Sequence, residues 1–194
     1  MRVKESSHRE YLNNYKQVLD SIEFSAESKA GPNLHEAIKL IASQVTDPKS
    51  APRVFFIGNG GSAAIASHQC TDFIKNFEIP AYSFNDGSLL TCFSNDYGYH
   101  EAFERLTKIF ARKGDLVFVI SSSGQSENVL RAARAARALG ATVVTLSGFK
   151  SDNPLRKLGH YNFYVPSSSY RYVESAHLHL FDFLVDHAIT LKEA

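Results

Sequence analysis

Two segments of this chain end an apolar run in glycine and serine, and both have the makings of an anion-binding loop. Arg53 to Ser62 reads RVFFIGNGGS, and Asp115 to Ser126 reads DLVFVISSSGQS, with an Ala-rich helical pattern starting at Ser126. Glycine lets backbone amides approach an anion closely, and a helix N-terminus presents unpaired N–H groups and a positive partial charge. Asn59, Gly60 and Ser62 lie in the first loop, and the hydroxyls of Ser121, Ser122, Ser123 and Ser126 add neutral donors in the second. With no cationic side chain in the serine loop, affinity is limited, which suits a ligand that must be released. Two such loops point to a phosphorylated ligand.

The elements that must position these loops follow from periodicity. Residues from about 7 to 29 carry Tyr11, Tyr15, Val18 and Ile22 at helical spacing, an apolar stripe on a charged segment that Gly31-Pro32 ends. Such a stripe must be buried somewhere, and packing against a second subunit is the expectation. Asn33 with Glu36 three residues on resembles a capping box for a helix through Val45, followed by a loop at Asp47-Pro48 and Ala51-Pro52. The order then reads strand 53–57, helix from about 62 to 76, strand 81–84, short helix near 88–93, helix 99–111, strand 115–120, helix 126–139, strand 142–146, strand 162–165 and a helix from about 170 to 192. Alternation of this kind predicts an α/β fold whose parallel strands are joined by right-handed crossovers and covered on both faces. Ligands of such sheets bind beyond the carboxyl ends of the strands, where both loops fall.

Composition narrows the class. The 194 residues suit one domain, with an N-terminal helical extension over about 7–46 and a sheet core over about 53–192. With 21 Lys and Arg against 20 Asp and Glu, no overall charge draws the chain to nucleic acid or to an anionic membrane. No apolar run reaches membrane-spanning length and the first ten residues are too polar for a secretory signal, so a cytoplasmic protein is expected. Cys70 and Cys92 form no CxxC pair and read as reduced thiols.

Gly58 to Ala63 also satisfies G-x-G-x-x-A, so a dinucleotide fold is a competing reading. That reading wants an acidic residue at the end of the second strand to hold a ribose, and Glu78 comes too early while Asp86 comes late. It leaves the second loop unexplained, and no nucleotide cofactor is expected. No G-x-x-x-x-G-K-[ST] or G-x-S-x-G occurs around these residues.

GNGGS, the Asn95-Asp96 pair followed by Tyr-Gly, SSSGQSENV and Leu146 to Gly148 together resemble the sugar isomerase (SIS) family, and within it the phosphoheptose isomerases. The likeness runs from about residue 34 to 190. It implies a three-layer, flavodoxin-like sandwich with a five-stranded parallel sheet behind N-terminal helices, a homotetramer, and active sites between subunits. By the family's pattern Ser62, Ser121, Ser123 and Ser126 contact phosphate and Asp96 contacts the sugar. The implied reaction is aldose–ketose isomerisation of sedoheptulose 7-phosphate or a related ketose phosphate through an enediol, which needs a base, an acid and stabilisation of an oxyanion.

The family carries a His and a Glu four apart on the helix after GNGGS, and a Gln and a His eight apart on the last helix. The matching positions are His68, Asp72, Glu174 and Asp182, so three of four differ. The resemblance makes them the catalytic candidates. His68 and Asp72 share one helix face, and Glu174 and Asp182 lie two turns apart on another. One imidazole and three carboxylates would hold a divalent ion, zinc by resemblance, with a donor set richer in oxygen than zinc prefers. Asp72 and Glu174 stand as the proton-transfer carboxylates, while His177, His179 and His187 read as packing or surface histidines. Lys75 and Asn76 lie where the family often has an arginine, and Arg171 where it has an aspartate, so the substrate need not be sedoheptulose 7-phosphate. The alternative is a non-catalytic SIS protein that binds a sugar phosphate or a protein partner as a regulator.

Overall fold

The computed structural model describes residues 7–27, 33–47 and 52–193. Helices α1 (His8–Asp20) and α2 (Leu34–Thr46) flank strand β1 (Glu23–Ala26). The core follows as β2 (Val54–Gly58), α3 (Gly61–Phe77), β3 (Ala81–Ser83), α4 (Gly87–Tyr97), α5 (Tyr99–Phe110), β4 (Leu116–Ser121), α6 (Glu127–Ala138), β5 (Thr142–Gly148), β6 (Tyr161–Val165) and α7 (Tyr170–Glu193). Among the described residues no helix is long and apolar enough to cross a membrane.

The six strands form one sheet in the order β1-β6-β5-β4-β2-β3, with every pair parallel except β1 with β6. The five parallel strands have the flavodoxin-like order, which reverses direction between β2 and β4. Because both faces are covered, the central strands are buried along their whole length and alternate residues serve opposite cores. Val54, Phe56, Leu116, Phe118 and Leu146 face α2, α3 and α7, whereas Phe55, Ile57, Val117 and Val119 face the helices α5 and α6. Phe56, Phe118 and Phe181 lie within 5.1–5.8 Å of one another, centroid to centroid, which locks α7 on the sheet.

The N-terminal region departs from the helix expected over 7–29. Helix α1 ends at Asp20, and Glu23 to Ala26 pair antiparallel with Tyr164 to Tyr161. Phe24 sits 5.1 Å from the Phe163 ring, so a sixth strand joins the five expected. The stripe on α1 is half-covered from within the chain, with none of its residues fully buried. Tyr11 and Tyr15 approach Tyr172 of α7 at 5.0 and 6.2 Å, and Val18 and Ile22 pack beside Val165 and Val173. The capping box is formed: Asn33 Oδ1 accepts from Glu36 N–H and Glu36 Oε2 accepts from Asn33 N–H, both at 2.9 Å. The Gly31-Pro32 stop, Pro48 and Ala51 lie outside the described residues.

Candidate functional site

The two glycine-serine segments meet where the strand order reverses. β2 and β4 are hydrogen-bonded neighbours, and their carboxyl ends deliver Asn59 to Ser62 and Ser121 to Ser123 to one cavity of about 300 Å³. α3 starts at Gly61 on one side and α6 starts after Ser126 on the other, so two helix N-termini point at the same space. Gly60 and Ser126 are the cap residues, and neither makes a side-chain capping bond. No lysine or arginine is among the lining residues.

The serine loop is shaped from beneath. Gly124 takes φ +62°, and a side chain there would run into Asn153, which is 1% exposed. Asn153 is fixed in turn by donating from Nδ2 to Gly148 O at 3.1 Å and Lys150 O at 2.8 Å. Within the loop Ser121 Oγ accepts from Gly124 N–H at 3.2 Å and lies 3.4 Å from Ser126 Oγ, while Ser123 Oγ accepts from Gln125 N–H at 3.2 Å. Ser122 is buried, and its hydroxyl has no hydrogen-bond partner among the described residues. A buried donor in that condition costs about 1–3 kcal/mol unless a ligand or water pairs with it.

One carboxylate reaches the cavity. Glu174 of α7 lies so close to the start of α3 that a methyl group on Gly61 would sit 2.5 Å from both of its carboxylate oxygens. A side chain at Gly61 would have to displace the end of Glu174, which rests beside the N-terminus of α3. Tyr170, one turn earlier on α7, completes that wall.

The other three members of the expected set stand elsewhere. His68 Nε2 and Asp72 Oδ2 are 3.2 Å apart on α3, with His68 exposed. Asp182 accepts from Gln69 Nε2 at 3.4 Å. α3 and α7 run side by side in the same direction, Gly61 against Glu174 and Gln69 against Asp182, so Glu174 and Asp182 are separated by eight residues, or about 12 Å of helix rise. Gln69, not His68, faces α7. Among the described residues no three His, Cys, Asp or Glu side chains come together as a metal site. His68, Asp72, Glu174 and Asp182 therefore do not fit a divalent ion within one chain. Asp96, expected at the sugar, is exposed near the end of α4, 3.8 Å from Cys92 Sγ, and does not line the cavity.

Comparison with known proteins places this arrangement in a family. The profile of the SIS domain matches residues 10–148. The phosphoheptose isomerase of Aquifex aeolicus is 34% identical over 157 residues, 74% of this chain and 82% of that protein, and that of Solidesulfovibrio magneticus is 39% identical over 144 residues, 70% of each. The chain belongs to the phosphoheptose isomerases of the SIS family. The solved phosphoheptose isomerase of Francisella tularensis superposes with a TM-score of 0.78 at 26% identity, covering 94% of this chain and 96% of that one. That of Neisseria gonorrhoeae gives 0.77 at 25%, covering 92% and 95%.

Gly61, Tyr170 and Ile120 line the cavity without having been singled out in the sequence. Gly61 alone carried a signal, as the third small residue of GNGGS. His177, read as a packing residue, is wholly buried and bonds through Nε2 to Ser147 O at 3.2 Å, and burial drives its pKa down to about 4.

Proposed function

We infer that the protein is an aldose–ketose isomerase that takes sedoheptulose 7-phosphate or a closely related ketose phosphate. The observation that carries this is the cavity itself, where two helix N-termini, one carboxylate and a serine loop whose Ser122 hydroxyl has no partner among the described residues converge at the strand reversal. The phosphate belongs at the neutral end, on Ser121, Ser122, Ser123, Ser126 and the Asn59 to Ser62 turn, and it supplies the acceptor that the Ser122 hydroxyl lacks among the described residues. The open-chain sugar then extends toward Glu174.

Glu174 acts as the base on this reading. It removes a proton from C1 of the ketose while the C2 carbonyl oxygen gains one, giving the enediol. Return of a proton to C2 with loss of the O1 proton gives the aldose, and no atom is gained or lost. His68, Asp72 and Asp96 join the reaction only in an assembly where a second copy covers the exposed faces of α3 and α4. A cytoplasmic homotetramer, as the resemblance implies, would supply that copy.

The test is incubation of the protein with sedoheptulose 7-phosphate in deuterium oxide, read by NMR at the carbon beside the carbonyl. Deuterium uptake that disappears in Glu174→Gln supports the reading. Tight sugar-phosphate binding with no uptake would instead make the protein a non-catalytic sugar-phosphate binder.

A further inference from the structure

We propose that Tyr99 is a positioning residue that, through the paired amides of Asn59 and Asn128, holds the two anion loops at a fixed separation. The proposal rests on the reading of the cavity as a phosphate site. Asn59 belongs to the first loop and Asn128 to the first turn of α6, two residues after Ser126. Their side chains exchange hydrogen bonds, Asn59 Nδ2 to Asn128 Oδ1 and Asn128 Nδ2 to Asn59 Oδ1, each at 3.0 Å. Asn128 Oδ1 also accepts from the Val129 N–H at 3.0 Å, which pins it to the helix. Tyr99 then donates its hydroxyl to Asn59 Oδ1 at 2.6 Å.

These bonds join three segments that also meet through the sheet, the packing of α5 on α6 and the pairs of Arg131 with Glu101 and Glu104. A reciprocal amide pair fixes both distance and twist between its partners, so neither loop can drift without breaking two bonds. The Val129 N–H, which can only donate, fixes the oxygen end of the Asn128 amide, and the reciprocal pairing then fixes that of Asn59. Tyr99 is not there to be buried: it is 47% exposed, and its ring touches Phe103 only at 6.2 Å between centroids. It is delivered by Gly98, whose φ of +82° turns the chain from α4 into α5. The hydroxyl's contact with the loop is what the residue supplies. An angstrom of misplacement in such a cradle matters because phosphate is held by several donors at once.

The experiment compares the parent with Tyr99→Phe, Asn128→Ala and the double variant, using calorimetry with inorganic phosphate and with sedoheptulose 7-phosphate, thermal melting, and steady-state kinetics. Tyr99→Phe is expected to weaken both ligands by about tenfold, the scale of one lost hydrogen bond. Its Tm should stay within about 2 °C of the parent, and KM should rise more than kcat falls. The double variant is expected to lose no more affinity than Asn128→Ala alone, because both substitutions open the same clamp. Affinities of Tyr99→Phe within about twofold of the parent, additive losses in the double variant, or a loss of affinity that tracks a large fall in Tm would each overturn the proposal. A parent that binds phosphate but performs no isomerisation overturns the assigned reaction and leaves the clamp judged by phosphate affinity. A parent that binds neither ligand overturns the clamp as well.

Discussion

The two ends of the parallel sheet solve opposite problems with opposite chemistry. At the amino end of β4 the charge is saturated: Asp115 accepts from Arg53 Nε at 3.1 Å, Arg53 Nη2 at 2.7 Å and the Arg112 N–H at 2.6 Å. At the carboxyl end the donors are neutral and left open. Two helix N-termini lack side-chain caps and the Ser122 hydroxyl has no partner among the described residues. A group whose partners lie within the chain stabilises the fold, whereas donors gathered around a cavity wait for an acceptor from outside. The contrast separates stability from binding at opposite ends of the same strands.

The largest effect is expected at the open end. Replacing Ser121, Ser123 and Ser126 together by alanine should weaken sugar-phosphate binding by about a thousandfold, since each hydrogen bond to a charged group contributes about 1.5–3 kcal/mol. The fold should survive. Circular dichroism and calorimetry on one sample decide it, and unchanged affinity in a folded variant would break the comparison.

His177 is the exception that sharpens it, a titratable group buried near the open end with a single partner. Its folded pKa of about 4 lies below the unfolded value of about 6.5, so protonation favours the unfolded chain. The stability it permits is complete above about pH 6.5 and declines as the pH falls, reaching a loss of about 3 kcal/mol near pH 4. Urea unfolding at pH 7 and pH 4.5 should show this loss in the parent. It should be missing in His177→Gln, whatever the carboxylates contribute to both proteins.

Asp115→Ala tests the closed end. Removing it leaves Arg53, about a third exposed, without its partner, and a loss of about 2 kcal/mol is expected, less than for a fully buried pair. That corresponds to a Tm lower by about 6 °C in a chain of this size. Phosphate affinity should not move. A fall in affinity equal to that of the serine variant would show that the two ends are not separable.

Legibility in the sequence divides along similar lines. VFFI and LVFVI announced central strands, the Asn33 and Glu36 pair announced a cap, and the small residues after each strand announced the cavity, because each is a local pattern. The strand β1 was hidden by Ile22, which continues the helical spacing of Tyr11, Tyr15 and Val18 although Glu23 to Ala26 already alternate. Tyr99 and Asn128 could not be read at all, since their bonds to Asn59 span 40 and 69 residues. Helical spacing put His68 with Asp72 and Glu174 on helices α3 and α7, but it says nothing about how the helices rotate toward each other. That rotation gives the contact with α7 to Gln69.

The smallest effect belongs to β1, the edge that spacing concealed. Arg156 lies over the Tyr164 ring at 4.0 Å, donates to Ser151 O at 2.8 Å and pairs with Glu23 Oε2 at 2.8 Å. It thereby ties the antiparallel strand to the sheet through a charge with partners of its own, as Asp115 does at the amino end, but at the surface. Glu23 is more than half exposed, so the ion pair is screened and the stacking should carry more of the effect. Arg156→Ala is expected to lower stability by about 1 kcal/mol and to speed hydrogen exchange at Glu23 to Ala26 before any other strand. Arg156→Lys keeps the charge but loses the flat stack and should fall nearer to alanine than to the parent. If lysine restores full protection, charge holds this edge and the likeness to Asp115 becomes closer; if alanine changes nothing, Phe24 packing on Phe163 holds it alone.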